Sequence, residues 1–212
     1  MKRIVVFGAS GGTGREVVEQ AIEKGFEVTA VVRRRDTFAL QHQRLKVVSG
    51  DVLQLSSFEN EVAGNDAVIS CLGTGGGLGA TTLYSRGIEN IMLAMRRGDV
   101  RRLLCISAGG VEATDEMGFL IRSMTRLVLQ RILKNLYEDM SRMERALEAS
   151  HLDWTTLRPA RLTDRPKTEN YRAVVNAHVK RPWTIGRADL AHYMLSILDD
   201  EKTFRAKIEI AY

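Results

Sequence analysis

Residues 3–14 read Arg3-Ile4-Val5-Val6-Phe7-Gly8-Ala9-Ser10-Gly11-Gly12-Thr13-Gly14, an apolar run that stops abruptly in glycines and then gives way to helical spacing. Ile4 to Phe7 are β-branched and aromatic and predict a strand. Val17, Val18, Ala21 and Ile22 then share one face of a helix, and Gly25 supplies its stop. In this G-x-x-G-x-x-G arrangement Gly8 permits a tight turn, Gly11 lets backbone approach a ligand, and Gly14 lets the helix pack closely. A dinucleotide pyrophosphate placed there would sit on unpaired N–H groups at a helix N-terminus. Glycine spacing alone matches many turns; the strand before it and the helix after it give it meaning.

Bulk properties narrow the classes. At 212 residues the chain fits one domain, residues 1–212, with room for a sheet covered on both faces but not for a large separate substrate domain. The hydrophobic fraction of 44% and charged fraction of 27% are those of a soluble globular protein, and no apolar run approaches membrane-spanning length. Met1-Lys2-Arg3 before the first apolar run could pass for a secretory signal, but the run is short and meets glycines instead of a cleavage site, so a cytoplasmic location is expected. Cys71 and Cys105 fall in apolar strand-like runs, which suits reduced buried thiols. His42, His151, His178 and His192 show no ligand spacing, and no metal site is expected. The net charge of +5 comes from dispersed arginines without interleaved aromatics, a pattern that argues against nucleic-acid binding and suits an anionic cofactor.

Alternation continues along the chain. Further strands are predicted at 27–32, 45–49, 66–72, 102–106, 154–157 and 207–210, separated by helical patterns that include 82–97, 119–150 and 189–198. Near-continuous apolar strands alternating with helices predict an α/β fold: a doubly wound, mostly parallel Rossmann-like sheet with helices on both faces. Ligands in such a sheet bind at the carboxyl ends of the strands, where strand order reverses. Gly73-Thr74-Gly75-Gly76-Gly77-Leu78-Gly79 follows the fourth strand on that side; it reads either as a flap over a nicotinamide or as a slack connection.

The second strand ends in Val31-Val32-Arg33-Arg34-Arg35-Asp36, where NAD-specific enzymes usually carry a carboxylate for the ribose hydroxyls. A guanidinium there can instead grip a 2′-phosphate through two hydrogen bonds, so NADP is the expected cofactor. The alternative is a solvated charge run, with Asp36 folding back toward a ribose. After the third strand, Gly50-Asp51-Val52 is placed to form an adenine pocket, Asp51 accepting from the exocyclic amine and Val52 packing on the ring. Ser107, in Ser107-Ala108-Gly109-Gly110, is placed to reach a nicotinamide amide or a substrate carbonyl.

These segments, with Leu72-Gly73-Thr74, Ile106-Ser107-Ala108, Leu157-Arg158-Pro159 and Gly186-Arg187-Ala188-Asp189-Leu190-Ala191, resemble the atypical short-chain dehydrogenase/reductase group of NAD(P)H-binding, NmrA-like sequences. Within it the chain looks most like the biliverdin reductase B/flavin reductase family. The likeness spans nearly the whole chain and implies NADPH binding through Ser10, Gly12, Thr13, Arg33, Asp51, Val52, Gly73, Thr74, Ser107 and Pro159, with Arg34 and Leu72 beside them.

Departures redirect the chemistry. Short-chain dehydrogenases use Tyr-x-x-x-Lys for proton exchange, yet no tyrosine here precedes a lysine at that spacing; Met140 stands where the lysine would be, and Tyr137 is one residue from the usual tyrosine position. The reductase family's histidine after the sixth strand is replaced by Arg161, which can pair with a substrate anion but cannot donate a proton at neutral pH. Its arginine after the fourth strand is replaced by Gly75, which implies a more open pocket. The expected activity is hydride transfer from NADPH to a small conjugated acceptor such as a flavin, tetrapyrrole or quinone, with Ser107 and Arg161 orienting the acceptor and solvent supplying the proton. The alternatives are a non-catalytic NADP(H) sensor and a nucleotide-sugar epimerase or dehydratase. A monomer or weak homo-oligomer is expected. Residues 118–137 set Arg122, Arg126, Gln130 and Lys134 opposite Ile121, Met124, Val128 and Ile132, a basic amphipathic pattern that either covers the sheet or meets an acidic surface.

Overall fold

The computed structural model describes residues 1–75, 80–108 and 130–212. In chain order they form β1 (Arg3–Phe7), α1 (Gly12–Glu23), β2 (Glu27–Val32), β3 (Leu45–Ser49), β4 (Ala67–Ser70), α2 (Leu83–Arg97), β5 (Arg102–Ile106) and α3 (Gln130–Glu148). Then follow β6 (Asp153–Pro159), β7 (Arg161–Thr163), β8 (Arg172–Val175), β9 (Thr184–Gly186), α4 (Arg187–Ser196) and β10 (Ala206–Ala211). The main sheet has the order β3-β2-β1-β4-β5-β6-β10-β8, and β7 pairs with β9 in a separate small sheet. All pairings of the main sheet are parallel except β10 with β8. Winding runs outward in both directions from β1 and β4, so the switch in strand order lies between them, as in the doubly wound dinucleotide-binding fold.

Strand composition explains the layers. On β1, Ile4 and Val6 join one buried cluster while Val5 and Phe7 join the other, because alternate side chains leave opposite faces and both faces are covered. Val17, Val18, Ala21 and Leu190 pack on the first face; Ile88, Ile91, Met95, Met143 and Leu147 pack on the second. Helices α1 and α4 therefore cover one side, and α2 and α3 the other. Phe7 and Phe58 meet edge to face at 4.9 Å within the second cluster. Cys71 and Cys105 are buried free thiols, and burial pushes Cys71 up to about 12, so both stay protonated at neutral pH.

Two expectations are corrected here. The connections around β3 are not helices but short 3-10 turns at Arg35–Thr37, Leu55–Ser57 and Glu59–Glu61. Residues 33–44 carry Phe38 and Leu40 as their large apolar side chains, too few to give a helix a buried stripe. Strands β7, β8 and β9, three or four residues long, have no pattern of their own and exist through their partners. Gly76 to Gly79, Gly109, Gly110 and residues 119–129, with Ile121, Arg122, Met124, Arg126 and Val128 of the basic pattern, lie outside the described residues.

Candidate functional site

The glycine turn is locked by backbone proximity. Gly8 sits at φ +70°, and a Cβ on it would lie 2.4 Å from the Cys71 carbonyl oxygen at the end of β4. A Cβ on Gly14 would lie 2.2 Å from the Gly8 carbonyl oxygen, so α1 starts in direct contact with the turn that launches it. The Gly11 amide donates to the Gly8 carbonyl (3.0 Å) and the Arg15 amide to that of Gly11 (2.8 Å). Gly11 occupies the N-cap with an extended backbone and no side chain to offer, and α1 has no acidic residue in its first turn. The amides of Gly12, Thr13 and Gly14 consequently have no acceptor within the helix. Ser10 is exposed beside them and Thr13 is buried. A compact, glycine-lined helix start fits a diphosphate, which would take the place of the missing cap.

The other expected contacts lie along the same carboxyl edge of the sheet. Arg33 and Arg34 are exposed just beyond β2, with the Arg33 carbonyl accepting from the Ser49 hydroxyl (3.3 Å). Asp36 is exposed in the first turn of the following 3-10 segment. Beyond β3, one Asp51 carboxylate oxygen accepts from the Leu53 amide (2.9 Å), leaving the second oxygen for a base amine. Val52 is buried, packed where Gly87 of α2 approaches it, and its carbonyl accepts from the Asn90 side chain (2.8 Å). Little of its side chain is left for a ring to stack on.

At the end where the nicotinamide is expected, Leu72 is half-buried, Gly73 is exposed with nothing near its Cα substituent position, and Thr74 meets the buried phenol of Tyr84. Burial pushes the Tyr84 phenol up and the Thr74 hydrogen bonds only partly offset it, so it stays neutral. Ser107 follows β5 at 3% exposure, and its hydroxyl has no hydrogen-bond partner among the described residues. Its amide donates to the Leu157 carbonyl (2.7 Å), which fixes the backbone while leaving the side chain unused. Pro159 is buried at the end of β6, and Arg161 is exposed on β7. Tyr137 is half-buried with its phenol pushed up by burial, and Met140 lies in the core between α2 and α3, where a lysine ammonium would be desolvated.

Three features escaped the sequence reading. Asp139 on α3 is fully buried and accepts from the Tyr84 amide (2.9 Å), the Ser85 amide (3.4 Å) and the Ser85 hydroxyl (2.5 Å), capping α2 from outside. Arg158 and Glu144 form a buried two-pronged ion pair, Nε to Oε1 at 3.0 Å and Nη2 to Oε2 at 2.5 Å. Arg187 lies against Gly12. None of these contacts is local in sequence, so no motif announces them.

Residues 8–201 match the model of a family described as NAD(P)H-binding, and the chain belongs to that family. It is 25% identical over 205 residues to the uncharacterised protein YwnB of Bacillus subtilis, covering 93% of this chain and 91% of that one. Among solved structures it is similar to a short-chain dehydrogenase/reductase from Veillonella parvula in complex with NADP, with a TM-score of 0.81 at 18% identity over 100% of this chain and 94% of that one. A Rossmann-fold NAD(P)-binding family protein from Shigella flexneri gives a TM-score of 0.76 at 23% identity, over 99% and 93% of the two chains. The cofactor is thus a nicotinamide dinucleotide, and the fold that carries it is of the Rossmann type.

Proposed function

We propose that the protein is an NADPH-dependent reductase acting on a conjugated acceptor, a flavin, tetrapyrrole or quinone. The observation that carries this reading is the buried Ser107 hydroxyl at the carboxyl end of β5, without a hydrogen-bond partner among the described residues, in a chain that has no lysine four residues after Tyr137. A buried hydroxyl without a partner costs stability, and it is repaid when the group donates to a ligand carbonyl. The coenzyme, when bound, supplies a hydride. The chain supplies position: the amides of Gly12, Thr13 and Gly14 hold the phosphates, and Arg33 with Arg34 faces the 2′-phosphate. Asp51 holds the adenine amine, and Ser107 polarises a carbonyl at the nicotinamide end. Arg161, exposed at the start of β7, orients an anionic acceptor. With Tyr84 and Tyr137 held neutral by burial, the acceptor stabilises added charge by conjugation and takes its proton from water.

The test is NADPH oxidation in the presence of FMN, a quinone and biliverdin. Turnover with at least one is expected, and Ser107→Ala should lower kcat roughly 100-fold while leaving NADPH affinity within about threefold. The same variant should keep or raise thermal stability, since it removes an unsatisfied hydroxyl. Tight coenzyme binding without turnover across the panel would count against a reductase and favour a sensor.

A further inference from the structure

We propose that Arg187, the first residue of α4, is a pyrophosphate clamp, held over Gly12 by Asp164 until the coenzyme's diphosphate takes the place of that carboxylate. The inference rests on the dinucleotide reading of the glycine turn and adds a residue from the far end of the chain to it.

The placement is specific. A Cβ on Gly12 would lie 2.7 Å from Arg187 Cδ and 2.8 Å from its Nε, so the arginine stem lies directly on the first residue of α1. Any larger residue at position 12 would push it away. The start of α4 lies alongside α1, two turns past Gly12, where the Gln20 side chain donates to the Ala188 carbonyl (2.9 Å). From there the Arg187 side chain runs back to the start of α1, where the N-cap is a glycine without a side-chain hydrogen bond.

Electrostatics argues that this cation is meant for an anion. A positive side chain at the start of a helix opposes the dipole of that helix. The acid in the first turn of α4, Asp189, is buried and already engaged: it accepts from the Thr168 amide and hydroxyl, the Glu169 amide and the Tyr212 hydroxyl at 2.7–2.8 Å. Arg187 pairs instead with Asp164 (2.5 Å), whose side chain is 88% exposed. An ion pair that wet holds weakly. A diphosphate lying on the α1 amides brings at least two charges and several acceptor oxygens within reach of a guanidinium that binds them in a fork. Exchange of Asp164 for diphosphate leaves the α1 start and the arginine satisfied.

Calorimetric titration of the full chain with NADPH, NADH and adenosine 2′-monophosphate tests the assignment, because the last lacks the diphosphate. Arg187→Ala should weaken NADPH and NADH alike, by about 10- to 100-fold, and leave adenosine 2′-monophosphate unchanged. Arg187→Lys should fall between, since a point charge replaces the fork. Asp164→Asn should tighten both coenzymes by up to about fivefold by removing the competing carboxylate. Wild-type affinity in Arg187→Ala, with the wild type binding normally, overturns the clamp and leaves the coenzyme site standing; equal loss for adenosine 2′-monophosphate assigns Arg187 a structural role and also overturns it. No heat from the wild type with either coenzyme overturns the dinucleotide reading and the clamp together.

Discussion

Helices α1 and α2 each follow a central strand at the carboxyl edge of the sheet, and each begins with amides that have no acceptor within the helix and has no acidic residue in its first turn. Their ends are completed differently. At α2 the chain brings its own anion: Asp139 crosses from α3, accepts from Tyr84 and Ser85, and is itself neutralised by Arg142 at 3.2 Å. At α1 there is a glycine cap and no carboxylate, while Arg187 adds positive charge over the same turn. The dipole at a helix start calls for negative charge in both places. One helix start is closed by protein and, among the described residues, the other is not, which supports the proposed phosphate site there.

The contrast can be broken at either helix. Gly14→Ala carries the largest expected effect: its Cβ would collide with the Gly8 carbonyl at 2.2 Å, with backbone on both sides. A loss of about 3 kcal/mol or more, seen as a drop of roughly 6 °C or more in Tm, should accompany loss of coenzyme binding. Asp139→Ala should cost about 2–3 kcal/mol by stranding the Ser85 hydroxyl and two amides, yet leave NADPH affinity within about twofold. A parallel fall in both quantities would show that the α2 cap is part of the binding end after all.

A third helix start sharpens the comparison through pH. Burial alone would push the Asp189 carboxyl up, but hydrogen bonds from Tyr212, Glu169 and Thr168 hold it below the usual carboxylate range. A depressed folded-state pKa gives stability that is present above the unfolded value near ~3.9 and is lost as pH falls through the folded value. Asp189→Asn should therefore destabilise by about 2 kcal/mol at pH 7, with the gap to wild type closing below about pH 4 in urea denaturation. A gap independent of pH would remove the carboxylate charge from the explanation. The smallest effect is expected outside the helix ends: Arg33→Glu should weaken NADPH about tenfold and spare NADH, read by titration of both. Equal affinity for NADPH before and after the change would take Arg33 out of 2′-phosphate recognition.

Much of this was legible in the chain. The strands expected at 27–32, 45–49 and 102–106 are the strands found, because runs such as 27–32 are rich in β-branched residues, with Val28, Ala30 and Val32 on one apolar face, and are bounded by turn residues. The glycines at 8 and 14 could be assigned as well, since close backbone approach admits no other residue there. The last strand, expected at 207–210, is Ala206–Ala211, a longer version of the same apolar run. What failed lacked local periodicity: β7 and β9 are three residues each and are stabilised by one another. Val52 was expected to face a ring and is instead largely buried in the core, a difference set by the approach of Gly87.

The order of residues along the chain by itself determined the alternation of strands and helices, the glycine turn and the likeness to NAD(P)H-binding proteins, because each depends on periodicity or sterics within a few neighbours. Only the tertiary structure decided that the start of α2 is capped by Asp139, that Ser107 is buried with no partner among the described residues, and that Arg187 reaches Gly12. Those outcomes depend on charges and backbones brought together across more than fifty residues of chain, where no local pattern carries the information.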